Sequence, residues 1–126
     1  MKVDVKIIIA GFLALFVVVG HFVFGSKWYL RPMLDSNMEL IPKAILQSVF
    51  HYVSIYLLLS SITLLLIGFG IFLSPENVIM VKFIGLNYLL FALVQIFYSI
   101  KNKVPNPLIT MFQWTLFLPI GILCII

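Results

Sequence analysis

The sequence predicts an all-α membrane protein, folded as an antiparallel four-helix transmembrane bundle. Of its 126 residues, 63% are hydrophobic and 10% are charged, whereas soluble domains are roughly 45–50% apolar and about 25% charged. The charges fall in small groups, and each long stretch between them has at least the roughly 18 residues that a membrane-spanning helix needs. These stretches are continuously apolar, which favours helices over the alternating strands of a membrane barrel. Since no internal repeat divides the chain, residues 1–126 are predicted to form one domain.

The gaps between charged residues give the helices in chain order. There are 20 uncharged residues after Lys6, 32 after Lys43, 18 after Lys82 and 23 after Lys103. The predicted transmembrane helices span about residues 5–24, 44–73, 78–100 and 108–126.

The connections are short, which predicts that consecutive helices are antiparallel neighbours. Residues 26–43 are predicted to form an interfacial loop, with Pro42 in the first turn of the second helix. Ser74–Asn77 has the composition of a tight turn, so the second and third helices should form a hairpin. The second apolar stretch would be about 48 Å long as a helix, against a hydrocarbon core of about 30 Å, so it must tilt or project.

The polar residues exclude several functional classes. No acidic or basic residue lies deep in a predicted span, although ion-coupled transporters and proton pumps generally need one there. The single cysteine, Cys124, excludes a dithiol mechanism. No nucleophile triad, phosphate-binding glycine loop or zinc-protease motif is present. The sequence therefore predicts a protein that is not an enzyme, has no catalytic residue, requires no cofactor and binds no nucleic acid.

Two histidines are the sharpest feature of the sequence. His21 and His51 each lie about 9 to 12 Å along a helix from the loop 26–43, so they belong to the same leaflet and are candidates to meet. Imidazoles there would suit a metal, a haem, a quinone or a lipid headgroup, and Asp35 and Glu39 would add oxygen ligands if the loop folds inward. The favoured alternative is that each histidine makes an interhelical hydrogen bond.

Other polar residues recur at helical spacing and predict contacts between helices. In lipid, small residues and hydrogen-bonding side chains supply much of the attraction between helices. Because every group is neutral and bulky apolar residues interrupt the stripes, packing is favoured over a continuous aqueous pore. The predicted intramembrane polar contacts are Gln47, Ser54, Tyr88, Gln95 and Gln113.

Short motifs distributed along the chain add a resemblance. Gly20-His21, Arg31-Pro32-Met33-Leu34, His51 and Gln113-Trp114-Thr115-Leu116-Phe117-Leu118-Pro119 together resemble small four-span bacterial membrane proteins. Phe112 departs from that pattern, in which proline is expected before the glutamine. The resemblance implies four helices and a bacterial inner membrane, and it implies no activity, substrate or catalytic residue.

Three functional classes follow from these observations. The favoured one is a non-enzymatic membrane component, either an accessory subunit of a larger membrane protein or a bundle that associates with itself. The second is a protein that binds a metal, haem, quinone or lipid through His21 and His51. The third is a small oligomeric transporter or channel that uses neutral polar groups. The partners expected are the lipid bilayer and further copies of the chain or a larger membrane subunit; the basic residues leave the orientation open.

Overall fold

The computed structural model describes residues 2–72 and 74–126, and this part of the chain is helical without strands. Three helices are long and apolar enough to cross a membrane, and two shorter ones follow. The helices are α1 (Val5–Leu34), α2 (Leu40–Gly68), α3 (Asn77–Lys101), α4 (Pro107–Thr110) and α5 (Trp114–Ile125).

Helix α1 is longer than predicted. Asp4 caps its N-terminus by accepting hydrogen bonds from the backbone N–H groups of Lys6 and Ile7. The helix then changes to π-helical hydrogen bonding over His21–Leu30 and ends in one α-helical turn, Arg31–Leu34. The prediction of a loop over 26–43 is therefore wrong for most of its length, and the connection is confined to 35–39. The segment 26–30 contains no helix-breaking residue, so nothing ends the helix at its polar boundary.

Helix α2 starts earlier and ends earlier than the predicted 44–73. Pro42 lies in its first turn, where a missing backbone N–H costs nothing. At the other end Gly70 adopts a φ of 72°, and its N–H donates to Ile67 O while that of Ile71 donates to Leu66 O. These two bonds form a Schellman motif, which ends α2 at Gly68. Residue 73, the predicted end, lies outside the described residues.

The helices pack in two close antiparallel pairs. At one end of the α1–α2 pair, the N–H of Asp4 donates to the Gly68 carbonyl over 2.8 Å. In the α3–α5 pair, a Cβ added at Gly121 would lie 3.0 Å from the Gly85 carbonyl oxygen and 2.5 Å from Leu89 Cγ. The two pairs are joined mainly by α1 against α5. Small residues thus allow close backbone approach, as is typical of membrane helices.

The predicted α2–α3 hairpin differs from the structure in its packing. The two helices are consecutive, but each packs mainly against another partner and their backbones come close at few points. Aromatic rings lie between them, with Tyr56 of α2 at centroid distances of 5.5 Å from Phe91 and 6.3 Å from Tyr88, both of α3. Because these rings are large, they hold the two backbones apart.

The predicted helix 108–126 is divided into α4 and α5. Met111 leaves the helical region, with φ −112° and ψ 70°. Side chains satisfy carbonyls around the break: Thr110 Oγ1 donates to Pro105 O over 2.7 Å, and Trp114 Nε1 donates to Leu108 O over 2.9 Å. Helix α5 has 12 residues and is about 18 Å long, which is shorter than the hydrocarbon core of about 30 Å.

The core consists of small and branched side chains together with Tyr88, while most large apolar side chains cover the outside. The exposed set includes Phe16, Ile45, Leu59, Phe83 and Leu93. A soluble monomer rarely exposes so much contiguous apolar surface. The core cluster consists of Ile7, Ala10, Ala14, Val17, Val18, Leu57, Leu64, Val81, Ile84, Tyr88, Ile120 and Cys124.

Candidate functional site

His21 connects α1 to α2 at the first residue of the π-helical segment. Its Nε2 lies 2.7 Å from Ser54 Oγ and 3.2 Å from the Phe50 carbonyl oxygen. The imidazole stacks on the Phe50 ring at a centroid distance of 4.1 Å and an interplanar angle of 19°. His21 is thus held by hydrogen bonds at its edge and by an aromatic ring on its face.

The hydrogen bonds around His21 form a directed chain. Ser54 Oγ donates to the Phe50 carbonyl over 2.9 Å. The single hydroxyl proton of Ser54 is used in this bond, so the oxygen presents its lone pairs to the imidazole. The Phe50 carbonyl can only accept. Both neighbours of Nε2 therefore act as acceptors, which favours the tautomer that carries the proton on Nε2. In that tautomer Nε2–H donates to Ser54 Oγ, and the contact serves to join two helices.

Gly25 makes room for this arrangement within the π-helical segment. A Cβ at this position would lie 3.4 Å from Phe50 Cε2 and Cζ and 3.8 Å from His21 Nδ1. The Phe50 ring therefore packs directly against the backbone of α1 at Gly25. Long π-helical segments are rare and often lie at functional sites, and this one places His21 and Gly25 around a single ring.

The second histidine packs against the same ring. His51 packs edge-to-face on Phe50 with a centroid distance of 5.5 Å, but its side chain is exposed on the outer face of α2, as is that of Gln47. The two imidazoles thus both contact Phe50, and they share no hydrogen-bond partner among the described residues.

The structure does not assemble the predicted ligand set. Asp35 and Glu39 are exposed in the α1–α2 connection. Within residues 2–72 and 74–126, no three His, Cys, Asp or Glu side chains come together in a way that could hold a metal ion. The connection does not fold inward because α1 and α2 extend to Leu34 and Leu40 and hold it at their tips.

A second polar contact joins three helices through glutamines. Gln95 Nε2 on α3 donates to Gln113 Oε1 over 2.6 Å, and Gln113 Nε2 donates to Tyr29 OH on α1 over 3.0 Å. Gln95 Oε1 is buried and has no hydrogen-bond partner in the part of the chain that the structure describes. The predicted polar positions Gln95 and Gln113 therefore contact each other, and Tyr29 extends the chain to the π-helical end of α1.

A third contact joins α2 to α3. Tyr88 is fully buried, and its hydroxyl lies 2.9 Å from Ser60 Oγ. Because Ser60 Oγ donates to the Leu57 carbonyl over 3.0 Å, the tyrosine is the donor in the pair. The Tyr56 hydroxyl beside it is buried and has no hydrogen-bond partner among residues 2–72 and 74–126. Phe50 and Ser60 were not predicted as site residues from the sequence; the Ser60-Ser61 pair in an otherwise apolar stretch is the signal that marks Ser60.

The interior of the protein thus carries neutral hydrogen-bonding groups that connect helices. Ser61 adds a further one, since its Oγ donates to the Gly11 carbonyl over 3.5 Å.

Comparison of the chain with known protein families, with curated proteins and with solved structures found no match. Functional inference therefore depends on the chemistry of the described residues.

Proposed function

We propose that this chain is a non-enzymatic integral membrane protein, an antiparallel bundle of α1, α2, α3 and α5, that works by associating with further copies of itself. The observation that carries the proposal is the exposure of two polar side chains, Gln47 and His51, on the outer face of α2. We also propose that the protein resides in the bacterial inner membrane, as the sequence resemblance implies.

The length of α2 supports placing His51 within the membrane. The helix has 29 residues and is about 44 Å long, which exceeds the hydrocarbon core by about 14 Å. His51 lies about 16 Å from the N-terminal end of the helix. Even if the entire excess projected at that end, His51 would still lie inside the hydrocarbon.

The cost of exposing these groups to lipid supports association. Acyl chains cannot accept or donate hydrogen bonds, so the lipid-facing His51 imidazole loses the partners that water would provide. Gln47 lies about 10 Å from the start of α2, so its amide loses them when less than about 10 Å of the helix projects at that end. The interior polar groups differ, because His21 is bonded to Ser54 and Gln95 to Gln113 within the same chain. The outer pair is therefore the part of the polar set that needs a partner from outside.

A second copy of the chain satisfies this need by symmetry. About a two-fold axis along the membrane normal, the α2 face of one copy meets the same face of the other, so Gln47 and His51 lie opposite their counterparts. Both side chains can donate and accept hydrogen bonds. Interhelical hydrogen bonds in membranes contribute roughly 0.6 to 2 kcal/mol each, so two such bonds would contribute about 1 to 4 kcal/mol.

The neutrality of the interior supports the non-enzymatic part of the proposal. The side chains joined across helices bond to one another and to backbone carbonyls, as with Ser60 and Tyr88. A catalytic site needs a nucleophile or a base placed against a stabilising group and open to a substrate. The proposed role of these groups is to fix the helices in register.

Single-molecule photobleaching in liposomes tests the proposal. The wild type is compared with a Gln47→Leu/His51→Leu double variant at decreasing protein-to-lipid ratios, and the proposal predicts dissociation of the double variant at least about fivefold earlier in the dilution series. Tyr52→Leu is the matched control, because Tyr52 is 66% exposed on the same helix. Monomeric wild type, or equal loss of association in the control, would contradict the proposal.

A further inference from the structure

The face through which two copies are proposed to associate contains a titratable side chain. His51 is exposed on the outer face of α2, one helical turn after Gln47. About the proposed two-fold axis, the His51 imidazole of one copy lies opposite that of the other. Histidine is the side chain that gains a charge between about pH 8 and about pH 5. We infer that protonation of His51 separates the two copies, an inference that rests on the proposed self-association.

The hydrogen bonds available to two facing imidazoles depend on their charge. A neutral imidazole has one N–H donor and one acceptor nitrogen, so two neutral rings can bond to each other. An imidazolium ring only donates, so two charged rings present donors to each other. A single proton in the pair is compatible with a bond between one charged and one neutral ring. Loss of the contact therefore requires both rings to be protonated, which predicts a steep response to pH.

The charges around His51 do not compensate a positive ring. In the part of α1 that begins at His21, and along the whole of α2, the charged residues are all basic: Lys27, Arg31 and Lys43. The other imidazole on this side, that of His21, stacks on the Phe50 ring that also contacts His51. No carboxylate from these helix segments can therefore pair with the imidazolium. Two facing charges without counter-ions repel strongly in a medium of low dielectric constant.

A separated chain can place the charged ring in a polar environment. Helix α2, with 29 residues, exceeds the hydrocarbon core by about 14 Å, and His51 lies about 16 Å from its start. A shift of the chain along the membrane normal by that excess brings the ring to within about 2 Å of the headgroups, where water hydrates it. In the dimer, α2 of the other copy covers the same ring. Separated chains therefore bind protons at His51 more readily than the dimer, so association weakens as the pH falls.

Single-molecule photobleaching in phosphatidylcholine liposomes at about pH 8 and about pH 5 tests the inference. Wild-type dimers should dissociate at least about fivefold earlier in the lipid dilution series at the lower pH, because repulsion adds to the loss of interhelical hydrogen bonds. His51→Gln keeps a neutral side chain that donates and accepts, so this variant should associate equally at both pH values. His21→Gln is the matched control, because His21 bonds to Ser54 within the chain; with helicity retained in circular dichroism, it should respond to pH as the wild type does.

The possible outcomes distinguish control by pH from self-association itself. Wild-type dimers of equal stability at both pH values would overturn the inference and leave self-association intact. Monomers at both pH values would contradict self-association and the inference together. Dissociation of His51→Gln at the lower pH, or loss of the pH response in His21→Gln, would assign the effect to another group and overturn the inference.

Discussion

Replacing Gly68 by alanine is expected to separate α1 from α2 at the end where they are closest. A Cβ at this position would lie 2.8 Å from both the backbone nitrogen and Cγ1 of Ile8, and 3.2 Å from the Ile7 carbonyl carbon. Ordinary carbon contacts are about 3.5–4.0 Å. Since two of the three contacts are with backbone atoms, rotation of a side chain cannot relieve them. The hydrogen bond from Asp4 N to the Gly68 carbonyl would lengthen as the helices separate.

The expected change in the free energy of unfolding of Gly68→Ala follows from two opposing effects. Overpacking costs about 1–3 kcal/mol, and the helix preference of alanine over glycine returns up to about 1 kcal/mol. We therefore expect Gly68→Ala to lower the free energy of unfolding by about 1–2 kcal/mol. Gly20→Ala is the matched control, because a Cβ at Gly20 meets nothing within 4 Å. This control should leave stability unchanged or raise it by up to about 1 kcal/mol.

The assay is reversible unfolding in mixed micelles by titration with dodecyl sulfate, followed by circular dichroism and by the fluorescence of Trp28 and Trp114. The two glycine variants should move the transition midpoint in opposite directions, or Gly68→Ala alone should move it. A Gly68→Ala protein as stable as the wild type would refute the close packing at this crossing. Equal destabilisation by Gly20→Ala would show that glycine flexibility, rather than space, sets the effect.

Two further predictions use the same unfolding assay. Tyr88→Phe should destabilise the protein by about 0.5–1.5 kcal/mol because it removes the bond to Ser60. Tyr56→Phe should be neutral or stabilising because that hydroxyl has no partner among the described residues; the reverse order would refute the assigned partners. Gln113→Leu should cost roughly 1 kcal/mol, and a double-mutant cycle with Gln95→Leu should give a coupling of about 0.6 kcal/mol. Additive effects in that cycle would contradict the contact between the glutamines.

The three long helices could be predicted because apolar length is a direct requirement of the bilayer. The residues at which these helices end were harder to predict. Gly70 at positive φ sets the end of α2 through backbone geometry, and the extension of α1 over 26–34 depends on a change in hydrogen-bond register. No residue type distinguishes a π-helix from an α-helix over such a segment, although Gly20 and Gly25 mark its neighbourhood.

The break between α4 and α5 was not predicted, because residues 108–126 were expected to form one helix. Pro105 and Pro107 mark the connection before α4, but Met111 and its neighbours contain no helix breaker. The break is held by tertiary and side-chain contacts, among them the Trp114 bond to the Leu108 carbonyl and the reach of Gln113 to two other helices. Such contacts become visible only when the helices are placed against each other.

For the candidate site, the sequence predicted which residues share a face of α2, but not which of them α1 would cover. The spacing in α2 placed His51 and Ser54 near one another, three residues and about 60° apart around the helix. Helix α1 covers Ser54, which is buried, and leaves His51 exposed. The rotation of α2 relative to α1 decides between these outcomes, and it is set by packing around Phe50, whose ring contacts both histidines.

Disulfide trapping across α2 gives the sharpest test of self-association. Cys124 is buried and is the single cysteine of the chain, so a Cys124→Ala background allows one cysteine at a time to be introduced by Leu58→Cys or Tyr52→Cys. Leu58 is 40% exposed and lies seven residues after His51, on the same face of α2, so both variants keep Gln47 and His51. After mild oxidation in liposomes, a two-fold contact through this face predicts rapid dimer formation for Leu58→Cys that persists on dilution with lipid, and slow formation for Tyr52→Cys. Equal rates for the two variants, or no dimer with Leu58→Cys, would contradict association through this face.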